Sequence, residues 1–146
     1  ANMAAKIRVD FQCAETGEFG TSCGPTRADG YSTPVEGTTY WFDIHDAPPS
    51  SGAILVLGLT QTELDLTPLG FTNCTAWNDN VATVFKIVGT SGLAYHAIAL
   101  PSTTAFNGLK IYGYWANFDP TQPGGITFTN YVRMIIGSEG FTNPNG

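Results

Sequence analysis

The clearest pattern along the chain is a two-residue alternation of apolar and polar positions. In residues 6–12, Ile7, Val9 and Phe11 fall on one face and Lys6, Arg8, Asp10 and Gln12 on the other, which predicts a half-buried strand. Residues 39–45 repeat the pattern, with Tyr40, Phe42 and Ile44 inward and Trp41, Asp43 and His45 outward. A turn follows at Ala47-Pro48-Pro49-Ser50-Ser51-Gly52. Residues 53–59 are apolar at every position but Gly58, the mark of a central strand covered on both faces. Further strands are predicted at about 81–88, 93–100, 109–116 and 126–136, separated by segments bearing Gly and Pro. The last reads Ile126, Phe128, Asn130, Val132, Met134 and Ile136 on one face. From residue 13 to 34 the period dissolves into Gly, Ser, Thr and Pro, and a long loop is expected. Seven to nine strands at this spacing predict an all-β domain, a two-sheet antiparallel β-sandwich of jelly-roll or Ig-like type. An N-terminal strand and loop over residues 1–19 would precede a sandwich over 20–146.

Composition agrees. Only 12% of the 146 residues are charged, against about 25% in an average globular chain. With 17 Gly and 9 Pro, the chain suits short strands and tight turns better than helices. The net charge of −6 excludes a phosphate-neutralising nucleic-acid surface and disfavours anionic membranes. No apolar run approaches the ~20 residues of a membrane-spanning helix, so no membrane insertion is expected. Low charge, many Thr and aromatic residues, and an opening Ala1-Asn2-Met3-Ala4-Ala5 of the kind left by signal peptidase point to export. Cys13, Cys23 and Cys74 allow three single-disulfide pairings, each leaving one thiol over.

Several short motifs occur in a recognisable order. They are Gly20-Thr21-Ser22-Cys23, Pro34-Val35-Glu36-Gly37-Thr38-Thr39-Tyr40, Ala47-Pro48-Pro49 and the strand at 53–58. Asp65-Leu66-Thr67-Pro68-Leu69-Gly70, Cys74, Leu100-Pro101 and Leu109-Lys110-Ile111-Tyr112-Gly113-Tyr114-Trp115 come next. Gly125-Ile126-Thr127-Phe128-Thr129-Asn130 and Ile135-Ile136-Gly137 close the series. From about residue 20 to 137 the chain resembles a β-rich domain near the C-termini of exported proteins in planctomycetes, myxobacteria and related bacteria. One departure is Tyr114, where many of those domains carry Gln. The resemblance implies an extracellular accessory domain without assigned enzymatic activity. It also implies a Cys23–Cys74 disulfide, with Cys13 as the odd thiol. A Cys13–Cys23 bridge within the aperiodic segment remains the alternative.

Candidate chemistry is sparse. Asp43, Asp46, Glu63 and Asp65 lie in neighbouring segments, but acidic residues beside turns commonly cap them, and no Gly-x-Ser-x-Gly nucleophile motif accompanies them. His45 and His96 are isolated. No enzyme is expected. Asp43 and Asp46 with Asn78, Asp79 and Asn80 offer hard oxygen ligands in loops, a candidate calcium set, and no other cofactor is expected. Trp41, Trp77, Tyr114 and Trp115 could present rings to an extracellular glycan.

Two functions of different kinds follow. The first is an extracellular structural protein whose partners are copies of itself, joined into a filament or surface coat. The strand bearing Ile7, Val9 and Phe11 would leave its own domain and complete a neighbour's sheet. The second is a carbohydrate-binding module using the exposed Trp and Tyr residues.

Overall fold

The computed structural model describes residues 13–140, so the strand expected at 6–12, with Ile7, Val9 and Phe11, lies outside the described residues. Within them are β1 (Cys13–Phe19), β2 (Arg27–Tyr31), β3 (Thr39–His45), β4 (Gly52–Gly58), β5 (Gln61–Asp65) and β6 (Thr75–Asn78). Then follow β7 (Ala82–Ile87), β8 (Ala94–Ala99), β9 (Lys110–Phe118), β10 (Ile126–Phe128), β11 (Tyr131–Ile135) and β12 (Glu139–Gly140). A seven-stranded sheet runs β12-β1-β11-β9-β4-β7, with β10 paired to the far half of β9. A three-stranded sheet, β2-β3-β8, packs against it, and β5 and β6 form a separate ribbon. The pairings are antiparallel, apart from β1 with β12 and a bridge between Val35 and Gly137.

The protein is therefore an all-β sandwich, built from more strands than the alternation predicts. The main core lies between the two large layers. Tyr40, Phe42 and Ile44 enter it from β3 as the sequence pattern requires, opposite Leu55, Trp115, Val132 and Met134 from the seven-stranded sheet. β4 is covered on both sides, as its apolar run predicts. Ala53 and Leu55 enter the main core, while Val56 joins Trp77 and Tyr114 in a second cluster under the β5–β6 ribbon. Gly113 makes room for this packing, because a Cβ there would lie 2.7 Å from the Phe42 ring.

Two expectations need correction. The segment from 13 to 34 is not one long loop, since it holds β1 and β2. Their sequences, CAETGEF and RADGY, carry little apolar alternation, and they become strands by pairing with β11 and β3. Nor is 126–136 one strand. Ala116 of β9 faces Phe128, but Gly113 faces Val132, a slip of one residue in register. Because side chains alternate every residue, the slip turns Phe128 to the second cluster and Val132 to the main core.

The break falls at Thr129 and Asn130, both buried, and side chains satisfy the backbone there. Thr129 Oγ1 accepts from the Trp115 amide at 2.9 Å, and Trp77 Nε1 donates to the Thr129 carbonyl at 3.0 Å. Asn130 Oδ1 accepts from the Ala28 amide at 2.8 Å, while its Nδ2 donates to the Ala28 carbonyl at 3.1 Å. One side-chain amide thus fills the place of a strand partner beside β2.

Cys23 and Cys74 are bonded, and neither is joined to Cys13. The bridge fastens the segment before β2 to the start of β6, across 51 residues of sequence. Closing a loop of that size in the unfolded chain is worth about 4 kcal/mol. A Cys23→Ser/Cys74→Ser variant is expected to lose stability of that order, read from the urea midpoint and slope.

Candidate functional site

The outward residues of β2, β3 and β8 make a surface where aromatic and ionisable side chains meet on a regular lattice. Pairing dictates the arrangement. Tyr31 stands opposite Trp41, and Trp41 opposite Ala97. One row along, Asp29 stands opposite Asp43, and Asp43 opposite Tyr95. Arg27 and His45 form a third row. Paired residues point to the same side of a sheet, so all of these face away from the core. Tyr31 and Tyr95 are 65% and 54% exposed, whereas Trp41 is half-buried with the Tyr31 ring edge-on to it at 5.5 Å.

The charged groups form a compact network. Asp29 Oδ2 lies 3.3 Å from Arg27 Nη1 and 3.3 Å from His45 Nε2, and Asp43 Oδ2 lies 3.9 Å from the same His45 nitrogen. Glu18 of β1 is hydrogen-bonded to Asp29. Burial, that hydrogen bond and the Asp29 charge all raise the Glu18 pKa. Burial also acts to raise Asp29, but hydrogen bonds from Glu18 and Arg27 and the charges of His45 and Arg27 outweigh it, so Asp29 lies lower than usual. Asp43 is raised by burial, with His45 opposing and Asp29 adding to the shift.

Other candidates fall elsewhere. Trp115 is wholly buried in the main core, and Trp77 and Tyr114 are buried in the second cluster, so these three offer no ring to a glycan. At these positions the facing sheet covers one side and the β5–β6 ribbon the other. Of the four aromatic candidates only Trp41 lies on an open face. Tyr31 and Tyr95, which share that face, were not legible as partners until the strand register placed them there.

The calcium candidates divide between opposite sides of the sandwich. Asp43 belongs to the outward network just described. Asn78, Asp79 and Asn80 sit at the end of the ribbon, where Asp79 Oδ1 accepts from the amides of Leu59 and Thr60. Asn78 Nδ2 donates to the carbonyls of Val56 and Tyr112, and its Oδ1 accepts from the Asn80 amide. Asp46 is exposed in the turn after β3, with φ of 62°. These five residues build no single oxygen cage, and among the described residues no three His, Cys, Asp or Glu side chains gather as a metal would require. Asp65 is likewise committed, its Oδ1 accepting from the Thr67 amide at 2.9 Å.

No protein-family model matches the chain, and no curated protein or solved structure does either. No helix among the described residues is long and apolar enough to cross a membrane.

Removing Trp115 tests its reassignment to the core. Trp115→Ala is expected to cost about 3–5 kcal/mol, and Trp41→Ala to shift the thermal midpoint much less. Tyr40 supplies a second test, because it lies beneath the outward network with its hydroxyl bonded to Thr16. Burial, reinforced by the charges of Asp29, Asp43 and Glu18, pushes its pKa from 10.0 up to about 12, with the Thr16 bond opposing. The folded protein thus holds this proton more tightly than the unfolded chain. The associated stability is present below pH ~10 and lost as pH rises toward ~12, a change of roughly 3 kcal/mol. Urea unfolding across that window should show the loss, and Tyr40→Phe should remove about that share of it.

Proposed function

We propose that the chain is a non-enzymatic extracellular structural protein that assembles head to tail into a filament or surface coat. Residues 6–12 of one copy add as a strand to the edge of β7 in the next. The observation that carries this reading is the state of that edge. β7 ends the seven-stranded sheet and, among the described residues, pairs with β4 alone. It leaves Phe85 and Ile87 59% and 62% exposed, with Val81 just before it at 59%. Sheet edges are ordinarily shielded by charge, proline or a covering segment, because an open one recruits further strands.

The apolar surface extends inward from the edge. Ile87 lies beside Gly52 and Gly52 beside Phe118, and a Cβ at Gly52 would sit 3.0 Å from the Phe85 ring and 3.1 Å from the Phe118 ring. A strand presenting Ile7, Val9 and Phe11 on one face could continue this surface while its main chain pairs with β7. Charge favours the same match. Lys6, Arg8 and Asp10 give residues 1–12 a net charge of +1, whereas the other 4 basic and 11 acidic residues sum to −7. Strand addition between different surfaces of successive copies is heterologous, so it propagates rather than closing into a pair. The resemblance to exported bacterial domains and the Cys23–Cys74 bridge support an extracellular setting.

Deleting residues 1–12 tests the mechanism. The full chain is expected to form ordered assemblies in negative-stain micrographs and to sediment as a polymer, and the deletion to leave monomers. Phe85→Lys/Ile87→Lys should disrupt assembly from the acceptor side. If the truncated protein assembles as the full chain does, strand donation is wrong. If the full chain remains monomeric at high concentration, assembly itself is wrong.

A further inference from the structure

The outward face of β2-β3-β8 lies apart from the β7 edge and has a different chemistry. We propose that this face is a binding site for an extended saccharide carrying free amino groups, such as a glucosamine polymer. The proposal does not depend on the assembly reading.

Three features point to this ligand. The first is the spread of the rings. Tyr31, Trp41 and Tyr95 come from three adjacent strands and lie across an open sheet face. Such a layout presents a platform and not an enclosing cage, which suits a flat, extended chain of sugar rings. Second, small residues keep the platform clear. Ala97 beside Trp41 and Ala99 beside Thr39 are both exposed and add only methyl groups on the β8 side. The third feature is charge. Asp29 and Asp43 lie one row from Trp41, and Glu18 meets Asp29 from β1. Arg27 and His45 are the basic groups that face them. Carboxylates outnumber fixed cations on this face, within a domain that is itself strongly acidic. An acidic sugar would be repelled, and a neutral one would leave the excess unbalanced. An ammonium group is drawn both to the carboxylates and to the faces of nearby rings.

In the bound arrangement a sugar ring packs against Trp41 and Tyr95, and its ammonium group reaches Asp43 or Asp29. The carboxylates accept hydrogen bonds from the ammonium and from neighbouring hydroxyls. Arg27 and His45 keep Asp29 and Asp43 oriented in the meantime.

Titration calorimetry of the full chain with glucosamine oligomers is the direct test, alongside N-acetylglucosamine and glucose oligomers of equal length. Binding is expected to be saturable, to weaken with added salt, and to be at least about tenfold tighter for the free amine than for either neutral oligomer. Trp41→Ala and Asp43→Asn should each weaken it about tenfold, with thermal unfolding confirming that both variants are folded. Asp43→Glu should retain part of the affinity, which a purely structural role for Asp43 does not require. Absence of binding by the wild-type chain overturns the proposal. So does equal affinity for the neutral oligomers, or unchanged affinity in both folded variants. Poly-lysine binding as tightly, with the same sensitivity to Trp41→Ala, would reassign the face to a cationic polypeptide and also overturn it.

Discussion

The two sheets are held together at one side by the pairing of the Asn130 side-chain amide with the backbone of Ala28. Asn130 lies at the break between β10 and β11, where the chain leaves one register against β9 and takes up another. A break inside a buried sheet strands backbone groups away from water, and each unsatisfied one would cost about 1–3 kcal/mol. Here the Thr129 hydroxyl and the Trp77 indole answer those groups, and the adjacent Asn130 amide reaches the edge of β2. The contact therefore caps the three-stranded sheet at the point where the seven-stranded sheet changes register.

Much of the layered structure follows from that break. The register slip directs Val132 and Met134 into the main core while Phe128 and Tyr131 pack on the opposite face. Both faces of the sheet thus acquire something to bury. The opposite face needs a cover, which the β5–β6 ribbon supplies, with Trp77 lying against Tyr131 and donating to Thr129. The Cys23–Cys74 bridge joins this ribbon to the segment leading into β2, so a covalent link spans the layers near the same place.

The far side of the sandwich is built differently. β7 and β8 end their respective sheets, and among the described residues each pairs with a single strand. Among the described residues no amide like Asn130 caps them there. The β7 side is apolar, whereas the face beyond β3 and β8 is aromatic and acidic. Polar groups on that face retain contact with water, so their mutual interactions stay modest. Assembly and ligand capture, as proposed, thus use separate surfaces, and neither draws on the packed core.

What the sequence alone determined is the all-β class, the inward faces of β3 and β4, and the strands near 82–87, 94–99 and 110–118. These carry their own signal, because a strand with one buried face must alternate and a strand with two must be continuously apolar. Through the family resemblance it also pointed to the Cys23–Cys74 pairing. Tertiary structure alone decided that CAETGEF and RADGY are strands, since their order comes from partners distant in sequence and not from their own pattern. It alone decided that residues 126–136 change face midway, because a one-residue slip leaves no mark in an alternating string. The fate of the aromatic residues was hidden for a similar reason. Trp41 and Trp115 each sit in an alternating strand, and which is buried depends on whether a second layer covers that face. A ribbon and a facing sheet enclose one strand's two sides, and nothing among the described residues covers the outer side of the other.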